Sequence, residues 1–114
     1  MPLSVEINQL AIVVVSGAQS GQLMQRLTKQ GFYFTKIDSS GGVIQEPNIC
    51  LLIGLNQVQM PQLLALIRKV CKPYRQYIPA HANIQPYQLQ PAMIEAKVGG
   101  AIVYAIEVER FEQI

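Results

Sequence analysis

A chain of 114 residues is long enough for one domain with a hydrophobic core, and we expect a single domain. Half of the residues are hydrophobic and only 14% are charged, well below the roughly 25% typical of globular domains. This shortage of charge predicts that a partner, most simply another copy, covers part of an apolar surface. The net charge of +2, with nine Lys and Arg scattered along the chain, argues against a nucleic-acid polymer as ligand.

The first residues and the cysteines indicate the compartment. Residues 1–6 have neither a basic region nor a cleavage-type pattern. The apolar runs are far shorter than the roughly 20 residues that span a bilayer. Cys50 and Cys71 have no CxxC or Cys/His neighbours, which favours reduced thiols in the core and a reducing compartment. We therefore expect a cytoplasmic protein without membrane insertion.

The first half of the chain predicts a strand, a helix and two more strands. Residues 1–9 are taken as an N-terminal leader, so the domain is expected over residues 10–114. The run Leu-Ala-Ile-Val-Val-Val begins the domain and is typical of a central strand buried on both faces. Apolar positions at helical spacing follow, and Gly31 is expected to end that helix. Strands are expected over residues 32–38 and 49–55.

The second half predicts another helix and a long loop. Asn56 is a candidate cap, and Pro61 is tolerable only in the first helical turn. Pro73 is expected to end this helix. Residues 72–91 contain four of the seven prolines and three of the five tyrosines. We interpret them as a loop, and loops of that length in small domains are usually functional.

Two final strands complete the pattern. Residues 93–98 and 101–108 are expected to pair with each other, with Gly99 and Gly100 as the turn or bulge between them. The order β-α-β-β-α-β predicts an α+β fold, a ferredoxin-like βαββαβ sandwich with a long loop before the C-terminal strands. That fold supports many unrelated functions, so it leaves function open.

The most distinctive stretch is the bend between the second and third predicted strands. Gly41 and Gly42 turn the chain there, and glycine allows close approach of a ligand to the main chain. Successive backbone amides in such turns form anion-binding concavities. Polar side chains flank the bend at Thr35, Ser39, Ser40 and Asn48. The pattern favours a small anionic ligand, and a plain hairpin turn is the alternative interpretation.

The sequence has no arrangement typical of catalysis or of a metal centre. It contains no Ser/His/Asp set, no Cys/His spacing of a known type and no Walker A signature. His81 is the single histidine and has no second histidine or acidic pair at ligand spacing. We therefore expect no catalytic residue, no metal and no cofactor, and a protein that is not an enzyme.

The bend, the Pro/Tyr-rich loop and the second Gly-Gly motif at residues 98–101 together resemble the PII-like cyclic-di-AMP receptor family. The resemblance runs from about residue 10 to the C-terminus. It implies a PII-like ferredoxin fold and a homotrimer with no catalytic activity. It also implies that cyclic-di-AMP is the ligand, bound in clefts between neighbouring subunits, and that mobile loops relay its presence to an unknown protein target.

The same resemblance implies the ligand-binding residues, which are Thr35, Gly41, Gly42, Val43, Ile44, Asn48, Gly54, Tyr104 and Gln113. Two positions depart from the family pattern. Tyr33 stands where an arginine is common, and Val43 stands where an aromatic residue usually stacks. A lost guanidinium–phosphate contact weakens binding by roughly 1.5–3 kcal/mol, and a lost stacking ring weakens it by roughly 1–3 kcal/mol.

Three functions are consistent with these patterns. The first is a receptor for a nucleotide second messenger. The second is a PII-like protein-interaction module that has lost or changed its nucleotide specificity, as Tyr33 and Val43 suggest. The third is a small enzyme or metal-tolerance protein on a trimeric ferredoxin-like scaffold, which would need His81, Cys50 or Cys71 to meet across a subunit boundary.

Overall fold

The computed structural model describes residues 6–38, 48–79 and 93–114. The elements in chain order are β1 (Gln9–Ser16), α1 (Gly17–Lys29), β2 (Tyr33–Asp38), β3 (Asn48–Leu55), a short 3-10 turn (Gln57–Gln59), α2 (Met60–Val70), β4 (Tyr74–Pro79), β5 (Met93–Val98) and β6 (Ala101–Glu107). Of the described helices, neither is long and apolar enough to cross a membrane.

Four of the strands form one antiparallel sheet in the order β2-β3-β1-β6. The β-branched strand β1 lies in the interior of the sheet and pairs with β3 on one side and β6 on the other. With β6 as the fourth strand of the motif, this order is that of a ferredoxin-like βαββαβ sandwich. The predicted fold class is therefore confirmed.

The core lies between one face of this sheet and the two helices. Alternate residues of β1 and β3 point to that face and are buried, because successive side chains of a strand face opposite sides. The buried set comprises Ala11, Val13, Val15, Ile49, Leu51, Ile53 and Leu55 from the strands, with Leu23 and Leu27 from α1 and Leu63, Leu66, Ile67 and Val70 from α2. Gly31 follows α1 with φ of +80°, and Pro61 lies in the first turn of α2, as predicted.

The remaining strands correct two predictions. Residues 74–79, predicted as part of a loop, form β4, which pairs with β5 in a separate two-stranded hairpin. Because β5 pairs with β4 and β6 pairs with β1, the predicted pairing of residues 93–98 with residues 101–108 is wrong. The prolines suggested a loop. Pro79, however, is the last residue of its strand, where the lack of a backbone N–H is tolerated. The tyrosines of this segment favour a strand.

The chain before β1 is attached to the domain. The Asn8 amide donates to the Leu55 carbonyl at 3.1 Å, and the Asn8 carbonyl accepts from the Val108 amide at 3.0 Å. The Asn8 side-chain oxygen also accepts from the Gln57 amide at 2.8 Å. Asn8 thus prolongs the β1 pairing at that end of the sheet, and β1 itself begins at Gln9.

Both cysteines are free thiols, in different surroundings. Cys71 is buried in the core, as predicted, and burial raises the pKa of its thiol. Cys50 alternates with the buried Ile49 and Leu51, so it lies on the other face of the sheet and is half-buried. The expectation that it belongs to the core is wrong.

Candidate functional site

The face of the sheet that points away from the helices is apolar and has little cover in the single chain. We call it the open face. Its described members are Tyr33, Thr35 and Ile37 in β2, Cys50, Leu52 and Gly54 in β3, Leu10, Ile12 and Val14 in β1, and Ile102, Tyr104 and Ile106 in β6. The large side chains of the edge strands keep about half of their surface exposed: 50% for Tyr33, 45% for Ile37, 56% for Ile102 and Tyr104, and 48% for Ile106.

A cavity of about 450 Å³ lies at one end of the open face. We call it the end pocket. It is lined by Val14, Ser16, Asn48, Lys97, Val98, Gly99, Gly100, Ala101 and Ile102. Its volume falls in the range of roughly 300–1,000 Å³ that is usual for small-molecule sites.

The sheet register builds one wall of the end pocket. Ser16 is the last residue of β1 and pairs with Asn48, the first residue of β3. On the other side of β1, Val14 pairs with Ile102. The wall therefore has a polar part from Ser16 and Asn48 beside an apolar part from Val14 and Ile102, a combination that suits a ligand with a polar group and a flat apolar ring.

The turn between β5 and β6 also contributes to the pocket lining, and its backbone conformation favours glycine. Gly99 and Gly100 have φ of +81° and +80°, a region that strains other residues. A Cβ on Gly99 would lie 3.0 Å from the side-chain amide of Gln19 and 3.0 Å from Cε1 of Tyr74. The absent side chain is thus a packing requirement as well as a conformational one.

Two of the residues assigned from the resemblance lie mid-sheet on opposite edges. Thr35 is exposed in the edge strand β2, and Tyr104 is exposed in the edge strand β6. The register sets Thr35, Leu52, Ile12 and Tyr104 in one row across the sheet. Three strand spacings of about 4.8 Å separate Thr35 from Tyr104 by about 14 Å. One chain alone does not bring the two side chains together.

A further assigned residue, Gly54, lies at the end of the sheet away from the end pocket. Gly54 is six residues beyond Asn48 along β3, about 20 Å away at the usual rise. A Cβ on Gly54 would lie 3.3 Å from Cγ2 of Ile7, so a side chain there would require Ile7 to shift slightly. Gln113 is exposed in the segment after β6, and β6 ends beside Gln9, at the same end of the sheet as Gly54.

Asn48 is the assigned residue that the structure places in the end pocket. Gly41, Gly42, Val43 and Ile44 lie outside the described residues, as does His81. The strands on either side of the glycine bend are described. β2 ends at Asp38, whose partner is Ile49, and β3 begins at Asn48. The bend therefore leaves and rejoins the sheet at the end where the pocket lies.

Sequence reasoning missed two polar residues of the end pocket, Ser16 and Lys97. Lys97 directly precedes the Val98-Gly99-Gly100-Ala101 motif, and its position there was the available signal. It supplies a cationic side chain to the pocket lining, and an ammonium group suits a phosphate. Within the described part of the chain, no three His, Cys, Asp or Glu residues are grouped to hold a metal ion.

Comparison with solved structures supports this fold. A functionally unknown protein from Pediococcus pentosaceus ATCC 25745 is similar at 25% identity and a TM-score of 0.71, over 96% of this chain and 100% of that one. A DUF3240 family protein from Shewanella baltica OS155 aligns at 13% identity and a TM-score of 0.55, over 96% and 99%. CPII from Thiomonas intermedia K12, bound to ADP, AMP and acetate, aligns at 13% identity and a TM-score of 0.53, over 93% and 94%. The latter two show the fold alone, and the predicted PII-like form of the ferredoxin fold is confirmed.

A family model described as cyclic-di-AMP receptor matches residues 8–114. The match spans every element of the domain, from the residues before β1 to the C-terminus. It includes the open face, the end pocket and both Gly-Gly motifs, and it confirms the resemblance seen in the sequence. The chain therefore belongs to the cyclic-di-AMP receptor family.

Proposed function

We propose that this protein is a non-catalytic signalling receptor that binds cyclic-di-AMP where neighbouring copies meet, and that it relays binding to a protein target. The observation that carries the proposal is the position of the end pocket at the rim of an uncovered apolar sheet face. Membership of the cyclic-di-AMP receptor family supplies the ligand class. The two free thiols fit a reducing compartment, so we propose the cytoplasm as its location.

The open face supports self-association. Its edge strands carry five large apolar side chains that are about half exposed, and contiguous exposed apolar patches usually mark an interface. The two sheet edges, β2 and β6, differ in sequence, so a β2-to-β6 contact between copies is heterologous. Heterologous contacts close into rings when the rotation allows. A ring of three copies, which the family resemblance implies, is a closed ring of this kind.

Assembly of this kind explains the separation of the assigned residues. Thr35 and Tyr104 lie on opposite edges of the open face of one chain. In a ring, Thr35 of one copy adjoins Tyr104 of the next. Gln113, which follows β6, would reach the same junction. A site divided between subunits needs its residues on different edges, as observed.

The side chains of the end pocket suit a cyclic dinucleotide. The Lys97 ammonium would pair with a phosphate through a charge-assisted bond, and the Asn48 amide offers both a donor and an acceptor to a base edge. Val14 and Ile102 provide an apolar surface for a base. The proposed relay uses the β2–β3 connection, which is followed by the pocket residue Asn48, and the β4–β5 hairpin, whose base contributes Lys97 to the pocket lining. These segments would have two arrangements. The ligand shifts the equilibrium between them only to the extent that it binds one arrangement more tightly than the other.

Calorimetry tests the proposal directly. Wild-type protein is titrated with cyclic-di-AMP, cyclic-di-GMP, ATP and AMP, and cyclic-di-AMP is expected to bind most tightly. Asn48→Ala should weaken its affinity about tenfold, since one hydrogen bond contributes roughly 1 kcal/mol and more to a charged group. Thr28→Ala, at an exposed site on α1, is the matched control and should bind as wild type does. Absence of heat and of thermal shift with all four nucleotides would remove the proposal.

The alternative is a PII-like protein-interaction module that has lost or changed its nucleotide specificity. Tyr33 favours it, because a half-exposed ring on the edge of the open face can contact protein where an arginine would contact phosphate. A Tyr33→Arg, Val43→Phe double variant should then bind cyclic-di-AMP while wild type does not. Tight binding by the wild-type protein contradicts this alternative.

A further inference from the structure

One side chain joins α1 to both ends of the β4–β5 hairpin. Gln19 lies in the first turn of α1. Its Nε2 donates to the Lys72 carbonyl at 2.9 Å, two residues before β4 begins. Its Oε1 accepts from the Gly100 amide at 3.2 Å, two residues after β5 ends. We call these three residues the Gln19 clasp.

The amide of Gln19 fits closely into the turn that it binds. A Cβ on Gly99 would be 3.0 Å from both Nε2 and Oε1, so the glycine allows the amide to approach the backbone. Gly100 in turn lies against Pro73, with 3.5 Å between the position of an added Cβ and Cγ of the proline. The two ends of the hairpin thus meet around one planar group.

Gln19 does not form the helix capping box that its position would allow. Ser16 and Gln19 have the Ser-x-x-Gln spacing of a helix capping box. In α1, however, the Ser16 side chain makes no cap hydrogen bond to the helix backbone and donates instead to Gln19 Oε1 at 3.5 Å. Asn56 and Gln59 have the same spacing and do form the reciprocal capping box. The shorter hydrogen bonds of the Gln19 amide are therefore those to Lys72 and Gly100, which are distant in sequence.

The backbone of the described part of the hairpin makes few contacts with the other helices and strands that the structure describes. β4 and β5 contact each other extensively, and neither has extensive contact with another helix or strand that the structure describes. We therefore place the control of the hairpin direction at its base, where the Gln19 clasp lies beside the chain connections to α2 and β6. The same base carries Lys97, Gly99 and Gly100 into the lining of the end pocket.

We propose that Gln19 is a positioning residue for the end pocket: by holding Lys72 and Gly100 together, it fixes one wall of the pocket and couples nucleotide binding to the orientation of the β4–β5 hairpin. This inference rests on the proposed function of that pocket. Gln19 does not line the pocket, so it acts through the turn at Gly99 and Gly100. A ligand that displaces that turn also displaces the hydrogen bonds of the Gln19 clasp, and the orientation of the hairpin changes as a result.

The chemistry of the amide suggests graded variants. Gln19→Met keeps a side chain of similar length and removes both hydrogen bonds. Gln19→Glu keeps the acceptor for the Gly100 amide and loses the donor to the Lys72 carbonyl. Gln22→Met, at an exposed site one turn further along α1, is the matched control.

Two measurements test the clasp. Hydrogen exchange in the nucleotide-free protein reports the Gly100 amide, and calorimetry reports the affinity for cyclic-di-AMP. In Gln19→Met, we expect both the exchange rate of Gly100 and the dissociation constant to rise about tenfold, the effect of losing about one to two net hydrogen bonds. Gln19→Glu should protect Gly100 as wild type does and yet bind the nucleotide less tightly. Gln22→Met should match wild type in both.

The exchange of a core amide separates positioning from general destabilisation. The Val13 amide, in the central strand, should exchange at the wild-type rate in Gln19→Met. An equal rise at Val13 and Gly100, or wild-type values for both Gly100 exchange and affinity in Gln19→Met, would overturn the inference. If wild type binds no cyclic-di-AMP, the proposed function fails, while Gly100 exchange in the free protein still decides whether the clasp exists.

Discussion

The replacement Ile106→Glu tests whether the open face is buried by other copies of the chain. Ile106 lies in β6 opposite Leu10, outside the lining of the end pocket, and 48% of its surface is exposed in the single chain. The variant should dissociate at concentrations at which wild type remains assembled. The fold of the single chain should change little, because the buried core lies on the opposite face of the sheet.

The magnitude follows from the exposed fraction. Full burial of an isoleucine side chain contributes roughly 1.5–3 kcal/mol, so covering the remaining half of Ile106 contributes about 1 kcal/mol per chain. Three chains lose about 3 kcal/mol together, which weakens assembly about a hundredfold. A carboxylate buried without a partner weakens it further or has its pKa raised until it is neutral. The total effect should therefore exceed a hundredfold.

Sedimentation velocity over a concentration series from sub-micromolar to tens of micromolar measures this shift. Val58→Glu is the control, since Val58 is also a β-branched apolar residue and is 74% exposed on the 3-10 turn. It should sediment as wild type does. The reasoning is refuted if Ile106→Glu and wild type assemble equally, or if wild type is monomeric throughout the series.

Four further predictions concern individual side chains. Gly99→Ala should lower the free energy of unfolding by about 1–3 kcal/mol, because the positive φ and the tight surroundings both oppose a Cβ. Chemical denaturation measures this free energy, and a difference from wild type within experimental error would contradict the prediction. Asn56→Ala should lower the same quantity by about 0.5–2 kcal/mol through loss of the capping box, and equal midpoints for the two proteins would show that the cap is dispensable. Alkylation at pH 8 followed by mass spectrometry should modify Cys50 only in dissociated protein, and Cys71 only after unfolding. Burial raises the pKa of the Cys71 thiol above its ordinary 9.0, so the folded state holds that proton to higher pH than the unfolded chain. Its contribution to stability is present below pH 9 and falls as the pH rises further, and a Cys71→Ala variant should lose less stability on going from pH 8 to pH 10.

Much of the fold could be predicted because its signals are local. The β-branched run of β1 and the helical spacing in α1 and α2 identify three elements without reference to the rest of the chain. Gly31 and Pro61 mark helix ends through backbone geometry alone. The strand β4 was missed because proline and tyrosine are common both in loops and in edge strands. Only pairing with β5 distinguishes the two.

The site was predicted less completely than the fold. Asn48 was assigned from the resemblance and does lie in the end pocket, but Ser16 and Lys97 were not among the predicted site residues. Neither residue is unusual in its own segment. Each becomes part of a cavity only when β1, β3 and the β5–β6 turn meet, and those segments are far apart along the chain.

The sequence by itself determined both helices and every strand except β4, the low content of charged residues, and the family to which the chain belongs. The tertiary structure decided which strands pair, which face of the sheet is left open, and that Gln19 joins α1 to both ends of the hairpin. The physical reason is the distance along the chain over which the deciding interactions act. Helix and strand tendencies follow from neighbours within a few residues, whereas a partner strand, a cavity or a clasp depends on residues that only the folded chain brings together.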